Sequence, residues 1–240
     1  MKNKRKNNVI SLILNVSVVY LTIFAMVYNF MNINVDSSWF GVRGFSSLRY
    51  FTVLSNLFVA ACAILVIIFN IKGAVTDKFD VPKVVYRLKF ISTISVTITF
   101  LTVVLFLGPY IALSGYNYFS LFSRNNFILH FLTPVLAIVC LLFFEQSKYE
   151  LKIRDVFLSL IPIVAYSIVY FIMVVPVGEE NGGWPDFYGF TFGGKIYLAP
   201  ASIFGMYTAS FVISLIVTKL KKLIRKKQSV VEHPSKKKNK

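Results

Sequence analysis

The sequence predicts an all-α fold, a polytopic membrane bundle of six transmembrane helices, and three observations carry that expectation. The 240 residues are 56% hydrophobic and 15% charged, whereas soluble domains carry about 25% charged residues. Mean hydropathy is +0.68. Six apolar runs, roughly 9–30, 50–71, 90–112, 127–144, 156–175 and 196–217, meet or approach the length of about 20 residues that a membrane-crossing helix needs.

Charge sets the expected orientation. Lys and Arg number 26 against 10 Asp and Glu. Spread over a soluble surface, that excess would suggest nucleic acid. Here 22 of the 26 lie before the first run, in the 72–89 and 145–155 loops, and after the sixth run. Arg43, Arg49, Arg124 and Lys195 alone fall on the other side. An even number of spans puts both termini together, and the positive-inside rule places them in the cytoplasm. Nucleic acid is therefore not an expected partner. The wealth of Lys, Asn and Ile points to a bacterial plasma membrane.

The first run follows Lys2, Lys4, Arg5 and Lys6 as a secretory signal would. It is too long for a signal h-region and lacks a small-x-small cleavage site, so it reads as an uncleaved span. Ser11, Asn15, Val18, Thr22, Ala25 and Asn29 form one stripe on it. Such stripes of small and polar residues mark where helices approach one another in lipid. In the second run Thr52, Ser55, Asn56, Val59 and Ala63 share a face. The third carries Ser92, Ser95, Thr99 and Thr102, with Thr93 and Thr97 alongside. The fourth has a narrow polar face of His130, Thr133, Pro134 and Ala137. In the sixth, Ala201, Gly205 and Ala209 are four apart and are expected to pack inward. Pro134 and Pro162 should kink their helices, and no span carries a buried acid.

Residues 176–195 are rich in Gly, Pro and aromatic residues, including Trp184-Pro185. They predict a loop folded onto the outer mouth of the bundle. Residues 220–240 read as a disordered, basic cytoplasmic tail drawn to anionic lipid head groups, at about 1 kcal/mol per charge. Residues 1–219 make the single domain. Cys62 and Cys140 lie inside apolar runs, and no metal-ligand spacing is present.

Chemistry is expected where the second and fourth runs begin. His130 is the one intramembrane histidine, and ionisable groups inside spans are functional hypotheses by default. Thr52 and His130 each come three residues inside a run that enters from the same side, so they should differ in depth by about one turn. A threonine becomes a nucleophile when a base lies within hydrogen-bond reach. His130 can take that proton and return it to a leaving alcohol. Asn56 and Tyr50 are candidate donors to an oxyanion. Asn126 is the nearest candidate to orient the imidazole. Arg49, Arg43 and Arg124 flank the two motifs, where the carboxylate or phosphate of an amphiphile would sit.

Tyr50-Phe51-Thr52 with Asn56, Leu129-His130 followed by Pro134, and the Trp184-Pro185 loop together resemble the androgen-induced-protein-like membrane hydrolases and their bacterial six-span relatives. The resemblance implies six spans, a threonine nucleophile at Thr52 with His130 as its partner, no cofactor or metal, and a fatty-acid or membrane-lipid ester as substrate. Where family members often carry a carboxylate about ten residues after the histidine, this chain has Cys140, and Glu145 is the nearest acid. Two other readings stand beside it: a transporter or lipid-binding membrane protein, and a small structural subunit.

Overall fold

A computed structural model describes residues 2–31, 44–113, 115–123, 125–191 and 194–232. The described side chains leave out residues 2, 110 and 229–232. Arg43 and Arg124 lie outside the described residues. Among the described residues the chain is all-helical, with no strand. Six helices are long and apolar enough to cross a membrane: α1 Asn3–Phe30, α2 Phe51–Thr76, α3 Lys83–Leu113, α4 Asn125–Phe144, α5 Ile153–Val177 and α6 Ile196–Gln228. The end of the bundle that holds the start of α1 and the end of α6 is called inner below, as a label only.

Helix α3 is the centre of the bundle and touches α2, α4, α5 and α6, while α1 packs on α2 and α4. The sequence explains the choice. Nearly every residue from Phe90 to Thr99 on α3 is buried, and the hydroxyls of that stretch other than that of Thr93 return to its own backbone, as with Thr97 Oγ1 to the Thr93 carbonyl at 2.7 Å and Ser95 Oγ to the Ile91 carbonyl at 3.0 Å. That self-satisfaction lets a hydroxyl-rich helix sit among apolar neighbours.

The stripes on α1 and α2 face inward as expected. Ser11, Asn15, Val18, Thr22 and Ala25 on α1 and Ser55, Asn56, Val59 and Ala63 on α2 are all buried. The sixth stripe does not. Ala201, Gly205 and Ala209 are exposed, and the inward face of α6 is Ser210, Ser214, Val217, Thr218 and Lys221. Side-chain bonds choose that face: Ser159 Oγ donates to Ser214 Oγ at 2.8 Å, and Lys221 reaches into the end of α4. Directed polar contacts outweigh the close approach that small residues allow.

The prolines act locally. A π turn over Ile128–Leu132 precedes Pro134, absorbing the hydrogen bond that proline cannot make. Pro162 starts a fresh helical segment, Ile161–Ile172, after a break that follows Leu158.

The tail corrects the sequence reading. The last helix runs on through Ala199–Glu232 rather than ending near 217, so much of the 220–240 segment is ordered. Lys221 is 4% exposed. Its ammonium donates to the carbonyls of Leu141, Glu145 and Leu142 at 2.7, 2.9 and 3.1 Å. Arg225 follows with a 2.9 Å bond to the Tyr149 carbonyl. A helix C-terminus carries unsatisfied carbonyls and partial negative charge, which a cation placed there relieves. Residues 233–240 lie outside the described residues.

Candidate functional site

The outer entrance is built by the loop between α5 and α6. Asp186 organises it, accepting from the Tyr170 hydroxyl at 2.7 Å, the Phe190 amide at 2.9 Å, and the Thr191 amide and hydroxyl at 2.6 Å each. Gly183 permits the turn, because a Cβ there would meet the Met173 carbonyl oxygen at 2.2 Å. Tyr50, Tyr166, Tyr170, Trp184, Phe187 and Tyr188 pack ring against ring, with Tyr50 and Phe187 centroids 4.4 Å apart. The loop then caps the helix that bears Thr52. The Phe51 amide donates to the Tyr188 hydroxyl at 3.1 Å, and the Tyr166 hydroxyl donates to the Arg49 carbonyl at 2.7 Å.

Burial by itself would raise the Asp186 carboxyl, but the bonds from Thr191, Tyr170 and Phe190 outweigh it and hold the group below the usual aspartate range. A lowered folded value means that this carboxylate contributes stability above the ordinary aspartate range, and that the contribution fades as pH falls through the folded value. Asp186→Asn should therefore make the 178–195 loop more susceptible to limited proteolysis at neutral pH. Acidifying the wild type below about pH 4 should reproduce that susceptibility. A loop equally protected in both proteins at neutral pH would contradict this account.

Thr52 lies in the first turn of α2 and is half-buried. Its carbonyl accepts from Asn56 Nδ2 at 2.7 Å and from Ser55 Oγ at 3.1 Å, while its own hydroxyl makes no hydrogen bond to a described residue. Ser55 pairs with Thr99 of α3 at 3.1 Å. Asn56 donates its second N–H to the Leu129 carbonyl of α4 at 3.1 Å. Thr52 projects between those two directions, toward the outer gap between α3 and α4.

His130 sits inside the π turn of α4, and its Nδ1 lies 2.8 Å from the Leu121 carbonyl. A carbonyl only accepts, so Nδ1 carries the proton and Nε2 presents the lone pair. In the sequence, Asn126 is the nearest candidate to orient the ring. The structure gives that role to the backbone of the loop between α3 and α4. Asn126 makes a backbone bond to the Ser123 carbonyl at 3.1 Å, and its neighbour Asn125 is the one that bonds Asn29 of α1.

The Asn56–Leu129 bond ties α2 to α4 beside His130, and Thr52 lies one turn outward of Asn56. No hydrogen bond joins Thr52 to His130 among the described residues. Both N–H groups of Asn56 are committed to carbonyls, so it fixes the helix pair and is not available to an oxyanion. Tyr50 belongs to the aromatic wall. Of the three arginines expected at a head group, Arg49 is described, half-buried beside Tyr50. Against the wall of α2, a crevice of about 350 Å³ is bounded by Phe51, Phe58, Ser95, Pro162, Tyr166 and Trp184.

One chemically active group was missed. Glu145 is 3% exposed, and its carboxylate lies 3.9 Å from the ammonium of Lys89 on α3, itself 0% exposed. The expectation that no span carries a buried acid is corrected by Asp155, which lies within α5, is 0% exposed and pairs with Arg87 at 2.6 Å, while Glu145 stands one residue past the end of α4. The signal of Glu145 in the sequence was the spacing of one lysine six residues into α3 and one acid at the end of α4. No protein-family model, curated protein or solved structure matches this chain.

Proposed function

We propose that this six-span membrane protein hydrolyses a lipid ester, with Thr52 as nucleophile and His130 as base. The observation that carries the reading is the 2.8 Å contact between His130 Nδ1 and the Leu121 carbonyl, which calls for a proton on Nδ1 and so supports Nε2 as the base. In the reaction Thr52 Oγ1 attacks the ester carbonyl carbon as its proton passes to Nε2. The alcohol leaves with that proton, and water then releases the acid from the acyl-threonine. The mechanism requires hydroxyl and imidazole to come within hydrogen-bond reach in the substrate complex, where catalytic hydrogen bonds tighten. The apolar crevice beside Phe51 offers room for an acyl chain within about a turn of Thr52. Arg49 and the aromatic loop supply head-group contacts at the entrance, and the resemblance of the Thr52 and His130 motifs to the androgen-induced-protein-like hydrolases points the same way. The exposed cations of the final helix, Lys219, Lys222, Lys226 and Lys227, suit anionic lipid head groups.

Reaction of the purified protein with a fluorophosphonate probe tests this. Wild type should label, and Thr52→Ala and His130→Ala should each abolish labelling while eluting as folded protein. Labelling that survives both changes discards the mechanism. A transporter or lipid-binding protein is the second reading, favoured by the buried Lys89–Glu145 pair. Substrate flux in vesicles that persists in Thr52→Ala would support it.

A further inference from the structure

On the inner half of α3, Tyr86, Lys89 and Thr93 stand at i−3, i and i+4, which places them in one stripe about 10 Å long. All three are 0% exposed. The Tyr86 hydroxyl, the Lys89 ammonium and the Thr93 hydroxyl each lack a hydrogen-bond partner among the described residues. Three buried donors in line, one of them a full charge, are far from the ordinary outcome, since buried polar groups are nearly always paired. The ammonium's one counter-charge among the described residues, the Glu145 carboxylate at 3.9 Å, lies beyond hydrogen-bond reach, so its donors stay unused.

The surroundings select the ligand. Glu145 and Cys140 of α4, Cys62 of α2, and Lys221 and Arg225 of α6 are the titratable groups that face this stripe, with Asn15 and Ser11 of α1 neutral beside them. Three cations against one acid leave the region net positive, before the basic loops of the same face are added. A second cation is therefore disfavoured, and an anion is favoured. The Glu145 carboxylate, 3.9 Å from Lys89, occupies the position nearest the ammonium. Its second oxygen lacks a partner.

We infer that Tyr86, Lys89 and Thr93 form a binding site for a small monovalent anion such as a halide, for which the Glu145 carboxylate is the resident competitor. When the anion enters, Glu145 takes one proton from the inner solution. An O–H bond forms on the carboxyl, the anion replaces it as the counter-ion of the ammonium, and net charge is unchanged. Anion and proton are therefore taken up together. The inference does not depend on the Thr52–His130 reading.

The test is thermal unfolding of the full chain in detergent micelles, in chloride or bromide against gluconate at equal ionic strength. Each pair is measured at mildly acidic and at mildly alkaline pH. Halide should raise the melting temperature of wild type, by on the order of 2–5 °C at about ten times its Kd, and more strongly in acid. Glu145→Gln, a permanent stand-in for the protonated acid, should keep the halide response and lose its pH dependence. Lys89→Met should lose the halide response. Equal stability of wild type in halide and gluconate at both pH values overturns the proposal. So does a halide response that survives in Lys89→Met, or one that is absent in a folded Glu145→Gln protein.

Discussion

Under the proposed mechanism, Thr52→Ala is expected to cut ester hydrolysis on the order of ten-thousandfold while leaving thermal stability within about 0.5 kcal/mol of wild type. The two halves of that result come from one feature. The hydroxyl of Thr52 makes no hydrogen bond to a described residue and the side chain is half-buried, so deleting it strands no partner and opens no sealed cavity. If the same hydroxyl is the nucleophile, its loss removes the covalent route entirely. Thr52→Ser keeps the oxygen and should retain activity within about tenfold, since only the methyl that restricts χ1 is lost. Asn56→Ala should behave in the opposite way. It removes two hydrogen bonds, to the Thr52 carbonyl, which keeps its bond from Ser55 Oγ, and to the Leu129 carbonyl, at about 1 kcal/mol each, and loosens the link between α2 and α4. Activity and stability should then fall together. A Thr52→Ala protein that keeps more than about a tenth of wild-type hydrolysis would exclude the nucleophile, whatever Asn56 does.

The contrast between these residues also shows what a linear sequence can carry. The inward faces of α1 and α2 were legible because polar and small residues recur at helical spacing and lipid excludes them from the opposite face. The partner of His130 was not legible. It is the carbonyl of Leu121, and every residue type has a carbonyl, so nothing in the side-chain pattern marks it. The spent amide of Asn56 was hidden for a similar reason: both of its acceptors are backbone atoms, one of them 73 positions away. On α6 the pattern misled, because Ala201, Gly205 and Ala209 permit close approach without requiring it. Ser214 and Lys221 make bonds that only one rotation of the helix satisfies. Glu145 and Lys89 were visible as charges near span ends, where such groups ordinarily snorkel to water. Packing of both α1 and α6 against the end of α4 encloses Glu145: Asn15 donates to its carboxylate at 3.5 Å and Lys221 to its carbonyl at 2.9 Å.

Lys221→Met should be the most destabilising change in the inner half, lowering stability by about 3 kcal/mol or more and melting temperature on the order of 10 °C. Methionine matches the stem in length but has no donor. Three carbonyls of α4, those of Leu141, Leu142 and Glu145, would lose their shared partner in a place where water is scarce. Each stranded acceptor costs about 1 kcal/mol or more. The positive charge that offsets the partial negative end of α4 disappears as well. Glu145 is held between Lys89 and the carbonyls capped by Lys221, so its carboxylate would lose part of its electrostatic support. Lys221→Arg should rescue poorly. The planar guanidinium fork does not match three carbonyls that converge on one ammonium nitrogen. Lys222→Met is the control: Lys222, the next residue, is exposed, and its loss should stay within about 0.5 kcal/mol. If the two methionine variants melt together, the final helix is not anchored through Lys221, and the order of residues 220–232 must come from elsewhere. If they separate as expected, a single buried ammonium accounts for the continuation of α6 past the last apolar residue of its span.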